Sequence, residues 1–109
     1  MTALHDNSDE PLATYVVVGD HSLTISLSDG RTLTLPLDWY PRLKHGTPAE
    51  RNSWRLIGDG VGIHWPQLDE DLSVEGFLAG RKSIESPRSI KKWLAERLNV
   101  NRGKQRKTA

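Results

Sequence analysis

The chain has 109 residues, 36% of them hydrophobic and 27% charged, with a formal net charge of +1 at pH 7. This size predicts one domain with a modest core. It contains no cysteine, which excludes disulfides, thiol catalysis and cysteine-based zinc sites, and fits a reducing compartment such as the cytoplasm. The polar start shows no signal peptide, and no stretch is long enough to span a membrane, so we expect no membrane association.

The charges are distributed unevenly along the chain. Residues 1–80 contain five Lys or Arg and twelve Asp or Glu, a net charge of −7, whereas residues 81–109 contain ten and two, a net charge of +8. An acidic body followed by a basic segment is typical of a protein that binds partners. The basic segment could contact nucleic acid, an acidic protein, or the acidic body of a second copy in a homodimer.

The N-terminal part predicts a disordered segment followed by three strands. Residues 1–12 are polar and could bury too little surface to offset the entropy of ordering. Thr14–Val18 is β-branched and aromatic, which predicts a strand. Two alternating runs around Ser28-Asp29-Gly30 predict a hairpin. A three-residue loop would pair Ile25 with Leu33 and place the large apolar side chains on one face, whereas a two-residue turn would mix apolar and polar side chains.

The central part predicts short helices and a second hairpin. Leu37–Leu43 is short and bounded by prolines, which favours a single helical turn or an irregular segment. Thr47–Glu50 contains a capping threonine, a proline at the first helical position and the glutamate of a capping box, so a short helix should begin there. Trp54–Ile57 and Val61–Trp65 predict a hairpin around Gly58-Asp59-Gly60.

Two further helices are predicted towards the C-terminus. Ser73 can cap a short helix that ends before Gly80, directly after three consecutive acids. Ser86-Pro87 should begin a helix of about a dozen residues with an apolar stripe along one face. The stripe consists of Ile90, Trp93, Leu94 and Leu98. Arg97 lies within this stripe, so it must reach solvent or find an acidic partner.

The predicted fold class is α+β. It comprises a small antiparallel sheet of two hairpins plus one strand with short helices, followed by a C-terminal amphipathic basic helix. The α+β domain is expected at residues 13–80, and a linker and the basic helix at 81–100. Residues 101–109 form a basic tail that is predicted to be disordered.

The run from Gly62 to Ser73 contains the strongest candidate for a site. His64 lies close in sequence to Asp69 and Asp71. A histidine near carboxylates could act in acid–base chemistry or hold a hard cation or a transition metal. A strand histidine before Trp-Pro is, however, more often a packed residue, and acids before a helix are favoured by the helix dipole alone. These three residues are therefore candidates for a partner or metal site, but neither a metal nor a cofactor is expected.

No recognisable catalytic motif is present, so we do not expect an enzyme. None of the four histidines lies in a nucleophile elbow. Gly58–Gly62 lacks the Lys-Ser/Thr ending of a phosphate-binding loop, and a tight hairpin turn explains its glycines better.

The basic helix and tail form a candidate nucleic-acid-binding surface. Their cations lie outside the apolar stripe and could neutralise phosphates without reading bases. The candidates are Arg88, Lys91, Lys92, Arg102, Lys104, Arg106 and Lys107. The alternative is a solvated helix face with a soluble tail. A helix-turn-helix pair is not expected, because the segment predicts only one good helix.

Several motifs occur in the order and spacing of a known family. They are Ser28–Arg31, Pro36-Leu37, Trp39–Leu43, Ala49–Arg51, Gly62–Pro66 and Leu68–Val74. This pattern resembles domain-of-unknown-function family 2442, a small bacterial and phage-associated family, over approximately residues 14–80. The His-Trp-Pro…Leu-Asp-Glu-Asp ending is its most specific part.

The resemblance implies a small α+β domain without established catalytic residues. It also implies that some members carry a C-terminal helix-turn-helix, and that some lie beside a partner resembling a toxin–antitoxin component. The segment that follows the α+β domain in this chain is expected to be too short to form a full DNA-binding domain. We therefore expect a non-enzymatic interaction module, with a role as the neutralising or regulatory member of a toxin–antitoxin-like pair. The alternative is a nucleic-acid-binding accessory protein that acts through the basic C-terminal helix and tail.

Overall fold

The computed structural model describes residues 10–108 of the chain, with side chains for residues 10–99. It contains two three-stranded antiparallel sheets. The first sheet consists of β1 (Ala13–Val18), β2 (Ser22–Leu27) and β3 (Thr32–Pro36), in that order. The second consists of β4 (Arg55–Ile57), β5 (Gly62–Trp65) and β6 (Glu70–Ser73), also in that order. The predicted α+β class is confirmed.

Four helices accompany the sheets. They are α1 (Pro41–Lys44), α2 (Pro48–Arg51), α3 (Val74–Leu78) and α4 (Pro87–Thr108), with 3-10 turns at Leu37–Trp39 and Gly58–Gly60. Thr47 and Glu50 form the predicted capping box at the start of α2, each side chain accepting a backbone N–H of the other residue. Ser73 Oγ accepts the N–H of Gly76 at 2.9 Å, which confirms the predicted cap of α3. Among the described helices, none is long and apolar enough to cross a membrane.

Both hairpins form as predicted. In the first, Ile25 pairs with Leu33, which confirms the three-residue loop. Gly30 in this loop has a φ of 92°, a conformation that costs glycine little because it has no Cβ. In the second, Leu56 pairs with Ile63 across the Gly58–Gly60 turn.

One core lies between the sheets and the short helices. Its largest fully buried side chains are Trp65, Tyr40, Leu23, Ile25, Leu37, Leu43, Ile63 and Leu68. The Trp65 indole donates a hydrogen bond to the carbonyl oxygen of Arg51 at 3.0 Å. The buried Arg51 side chain donates to the carbonyl oxygens of Leu43 and Lys44 at 2.8 and 2.6 Å. Arg51 thus fixes α1 against α2, and its buried donors have partners.

The strand β6 corrects the prediction for the three acids. The sequence predicts that they merely precede a helix and that all strands belong to one sheet. Instead, Glu70–Ser73 pairs with β5 and completes a second sheet. Asp69 makes the turn into this strand with a φ of 50°. Acidic residues have low strand propensity, so pairing with β5 decides the conformation rather than the local sequence.

The ends of the chain also differ from the predictions. The helix α4 has 22 residues rather than about a dozen, so residues 101–108, predicted as a disordered tail, continue it. Lys, Arg and Gln are good helix formers and no proline ends the helix. At the other end, Leu12 exchanges hydrogen bonds with Ser28, so this part of the predicted disordered segment is bonded to the domain. Residues 1–9 lie outside the described residues.

Candidate functional site

The second sheet places His64 and Asp71 side by side on its outer face. They are directly opposite each other on β5 and β6, and Arg55 is opposite His64 on β4. Because paired residues on neighbouring strands project to the same face, the three side chains form a row across the sheet. His64 Nδ1 is hydrogen-bonded to Asp71 Oδ1. The row carries charges of both signs and lies opposite the core.

Asp69 is separated from this row. Its exposed carboxylate lies 3.7 Å from an Nη atom of Arg42, and its carbonyl oxygen accepts a hydrogen bond from the same guanidinium. Within the described part of the chain, no group of three or more His, Asp or Glu side chains could hold a metal ion. Of the three candidate residues, the structure therefore brings together only His64 and Asp71.

Glu70 is a titratable residue that the sequence reasoning did not identify. It pairs across the strands with the buried Trp65, so its side chain alternates with Asp71 and points to the inner face. Burial raises the pKa of Glu70 to about 7, although the Asp71 N–H and the charge of Arg42 act in the opposite direction. If β6 is recognised as a strand, the sequence does identify Glu70. Alternation places Glu70 on the opposite face from Asp71, and pairing with β5 places it beside Trp65.

The beginning of α4 and the segment before it contact the domain through a group of residues that we call the Trp93 cluster. Its members are Arg42, Glu50, Glu85, Trp93 and Arg97. Arg42 donates to both carboxylate oxygens of Glu85 at 2.7 Å, and its guanidinium lies 4.9 Å from the Trp93 ring centroid. Arg97 lies 4.7 Å from the same centroid and donates to both carboxylate oxygens of Glu50 at 2.8 and 3.1 Å. Of the two alternatives predicted for Arg97, solvent or an acidic partner, the structure shows the second, and the partner is Glu50.

The ion pairs of the Trp93 cluster keep their carboxylates charged. Hydrogen bonds from Arg97 hold the pKa of Glu50 below its usual range. Hydrogen bonds from Arg42 do the same for the pKa of Glu85. The four side chains are between 15% and 25% exposed, so solvent screens these pairs less than it screens surface pairs. The ion pair between Arg97 and Glu50 thus adds an electrostatic component to the contact between α4 and the domain.

The apolar stripe of α4 is only partly covered by the domain. Ile90 is buried and Trp93 packs against the core. Further along the helix, Leu98 is 57% exposed. An open, shallow groove of about 550 Å³ lies on the surface of the helix itself and is lined by five α4 residues, Pro87, Arg88, Ile90, Lys91 and Leu94. We call this groove together with Leu98 the α4 groove.

Three of the seven predicted nucleic-acid-binding residues have side chains that the structure describes. Arg88, Lys91 and Lys92 are exposed on α4, and no ion pair among residues 10–99 involves them. The side chains of the other four candidates, Arg102, Lys104, Arg106 and Lys107, lie outside the described residues. Residues 81–108 contain α4 alone, so this segment holds no helix-turn-helix.

Residues 13–83 match the family model described as Protein of unknown function (DUF2442). The chain belongs to the DUF2442 family. The match covers both sheets and the helices α1 to α3, and it ends before α4. Arg42 and Glu50 of the Trp93 cluster thus lie within the DUF2442 region, whereas their partners Glu85 and Arg97 lie beyond it.

Two solved structures resemble this DUF2442 chain. A protein of unknown function from Rhodospirillum rubrum is 26% identical, with a TM-score of 0.62, and the match covers 71% of this chain and 95% of that protein. An uncharacterised protein from Chromobacterium violaceum, determined by NMR in solution, is 24% identical, with a TM-score of 0.60 and coverage of 87% and 83%. No curated protein matches the chain. These similarities support the fold.

Proposed function

We propose that this DUF2442 protein is a non-enzymatic interaction module that binds a protein partner through the α4 groove. The observation that carries the proposal is the apolar surface of Leu94 and Leu98 on α4, which the domain covers only in part at Leu94 and leaves exposed at Leu98. Exposed apolar surface with a charged rim is typical of protein-binding sites. An amphipathic helix that binds a partner presents apolar side chains at i, i+3 or i+4 spacing, and Leu94 and Leu98 have this spacing on α4.

The partner expected for this groove is acidic. Arg88 and Lys91 line the groove beside its apolar side chains, and residues 81–109 carry a net charge of +8. An amphipathic segment with acidic flanks would match both the apolar and the charged parts of the surface.

More specifically, we propose that this protein is the neutralising or regulatory member of a toxin–antitoxin-like pair. The acidic partner segment would then belong to the toxin-like protein. The absence of cysteine supports a cytoplasmic complex, since it fits a reducing compartment.

Affinity capture in the native host with three baits tests the protein-binding proposal. The baits are the full chain, Leu98→Glu in the α4 groove and Leu78→Glu on α3, where Leu78 is 40% exposed and serves as the control. Burial of a leucine contributes about 1.5–3 kcal/mol, so Leu98→Glu should weaken a specific complex at least about tenfold. A protein held by the wild type and Leu78→Glu but lost by Leu98→Glu would support the proposal. Equal capture by all three baits would refute it, and capture of the chain itself would identify a homodimer.

A second function, nucleic-acid binding, is favoured by the exposed cations Arg88, Lys91 and Lys92. Affinity for duplex DNA should then fall steeply with salt, with a logarithmic slope of about 0.9 for each phosphate contacted. Replacement of these three residues with Gln should reduce the slope by about 3. A parallel variant with Gln at Lys104, Arg106 and Lys107 tests the tail. Unchanged slopes in both variants would rule out this function.

A further inference from the structure

A small cavity lies between the outer edge of β6 and the segment that connects α3 to α4. Its volume is about 280 Å³, and its lining includes Glu70, Leu72, Phe77 and residues 81–84. The connecting segment is fixed to the domain, because the Ser83 N–H donates to the Trp39 carbonyl oxygen at 3.0 Å. The cavity is therefore bounded by ordered elements on both sides.

Glu70 contributes a partly buried carboxyl group to this cavity. It accepts one hydrogen bond, from the Asp71 N–H at 3.2 Å. No ion pair among residues 10–99 involves it. Arg42 is close enough to lower its pKa, but that guanidinium donates to both oxygens of Glu85. A partly buried carboxylate without a cationic partner is unfavourable, and a ligand cation would remove that cost.

The basic residues that line the cavity contact other groups. Arg81 Nη1 lies 3.6 Å from a carboxylate oxygen of Glu75. Lys82 Nζ lies 5.3 Å from the Trp39 ring centroid, in a cation–π contact. Neither residue forms an ion pair with Glu70, so within the described residues the Glu70 carboxylate faces the cavity without a bound cation.

We propose that this cavity binds a small organic cation whose ammonium or guanidinium group pairs with Glu70. The aliphatic part of the ligand would lie against Leu72 and Phe77, which line the same cavity. The volume is at the small end for ligand sites, which favours a short alkylamine over a nucleotide. A lysine side chain of another protein presents the same chemistry.

Titration of the isotopically labelled full chain, followed by NMR, tests the proposal near pH 8. The probes are n-butylammonium, agmatine, N-acetyl-lysine methylamide and, as an anionic control, butyrate. The cations should shift the amide resonances of residues 70–73 and 81–84, whereas butyrate should not. Tighter binding of the lysine derivative than of n-butylammonium would assign the site to a protein side chain, and the reverse order would assign it to a free amine.

Two variants test whether the charge of Glu70 binds the cation. Glu70→Gln preserves the shape of the side chain and removes its charge, so the affinity for the cations should fall at least about tenfold. Glu96→Gln removes an exposed charge on α4 and should bind like the wild type. The proposal is overturned if neither butylammonium nor agmatine shifts these resonances, or if Glu70→Gln binds both as tightly as the wild type.

The pH dependence of binding provides an independent check. The charged and titratable groups around Glu70 are Asp71 on its own strand, Tyr40, the Arg42–Glu85 pair, and Arg81 and Lys82 of the connecting segment. With the pKa of Glu70 at about 7, its ionised fraction rises from about one tenth to about nine tenths between pH 6 and pH 8. Cation affinity should therefore increase about tenfold over this range, and Glu70→Gln should abolish the increase.

Discussion

Removal of the charge of Glu50 should weaken the contact of α4 with the domain without removing the cap of α2. Glutamine can replace glutamate in a capping box, so Glu50→Gln keeps the bond to the Thr47 N–H. The variant loses the bidentate ion pair with Arg97, which has donor–acceptor distances of 2.8 and 3.1 Å. Charge-assisted bonds between two largely buried side chains contribute more than a surface pair, and we expect a loss of about 1 kcal/mol in the free energy of unfolding.

Arg97→Met should cost more than Glu50→Gln. It removes the same ion pair and also the cation–π contact with Trp93, at 4.7 Å, which contributes about 0.5–1 kcal/mol. The single variants should therefore lose about 1 and about 1.5 kcal/mol. The double variant should lose about 1.5 kcal/mol, which gives a coupling energy of about 1 kcal/mol.

Urea denaturation of the wild type, the two single variants and the double variant measures this coupling energy. Folding lowers the pKa of Glu50 below its usual value of 4.5, mainly through hydrogen bonds from Arg97, so the ion pair stabilises the fold above that pH. Its contribution is lost as the pH falls through the folded-state pKa. The coupling energy should therefore be present near pH 7 and decrease as the pH is lowered below 4.5. A coupling energy below about 0.3 kcal/mol near pH 7 would refute our account of how α4 docks.

Three further variants test other parts of the structure. Glu70→Gln should raise the free energy of unfolding by about 2 kcal/mol near pH 8 and leave it nearly unchanged near pH 4. The reason is that folding raises the pKa of Glu70 and makes its ionised form costly. An equal effect at both pH values in urea denaturation would contradict the assignment. Gly60→Ala should destabilise the protein by more than about 1 kcal/mol, since the glycine has a φ of 116° and a Cβ there would lie 2.4 Å from the Ala13 carbonyl oxygen. A melting temperature equal to that of the wild type would show that Gly60 does not approach the Ala13 backbone this closely. Trp93→Ala should release α4 and increase amide hydrogen exchange in residues 87–98, whereas unchanged exchange would mean that Trp93 does not hold the helix.

Local features of the fold could be predicted from the sequence because neighbouring residues determine them. Alternation fixes the pairing of Ile25 with Leu33. The box of Thr47 and Glu50 requires a spacing of three residues. The stripe on α4 and the position of Arg97 within it follow from helical periodicity.

Features that depend on distant residues could not be predicted in the same way. Arg42 and Glu85 are 43 residues apart, and Arg97 and Glu50 are 47 residues apart, so no local pattern indicates these pairs. The strand β6 was missed because its acidic residues carry a weak strand signal. That omission also concealed the inward position of Glu70 and the separation of Asp69 from His64.

Site-specific photo-crosslinking in the native host tests the central claim, that α4 carries a protein-binding groove, most directly. A photoreactive p-benzoylphenylalanine would replace Leu98 in the α4 groove or, as the control, Leu78 on α3; both positions are exposed. Our account predicts one dominant crosslinked protein from position 98 and none from position 78. Crosslinking of the same protein from position 78, with none from position 98, would contradict the claim.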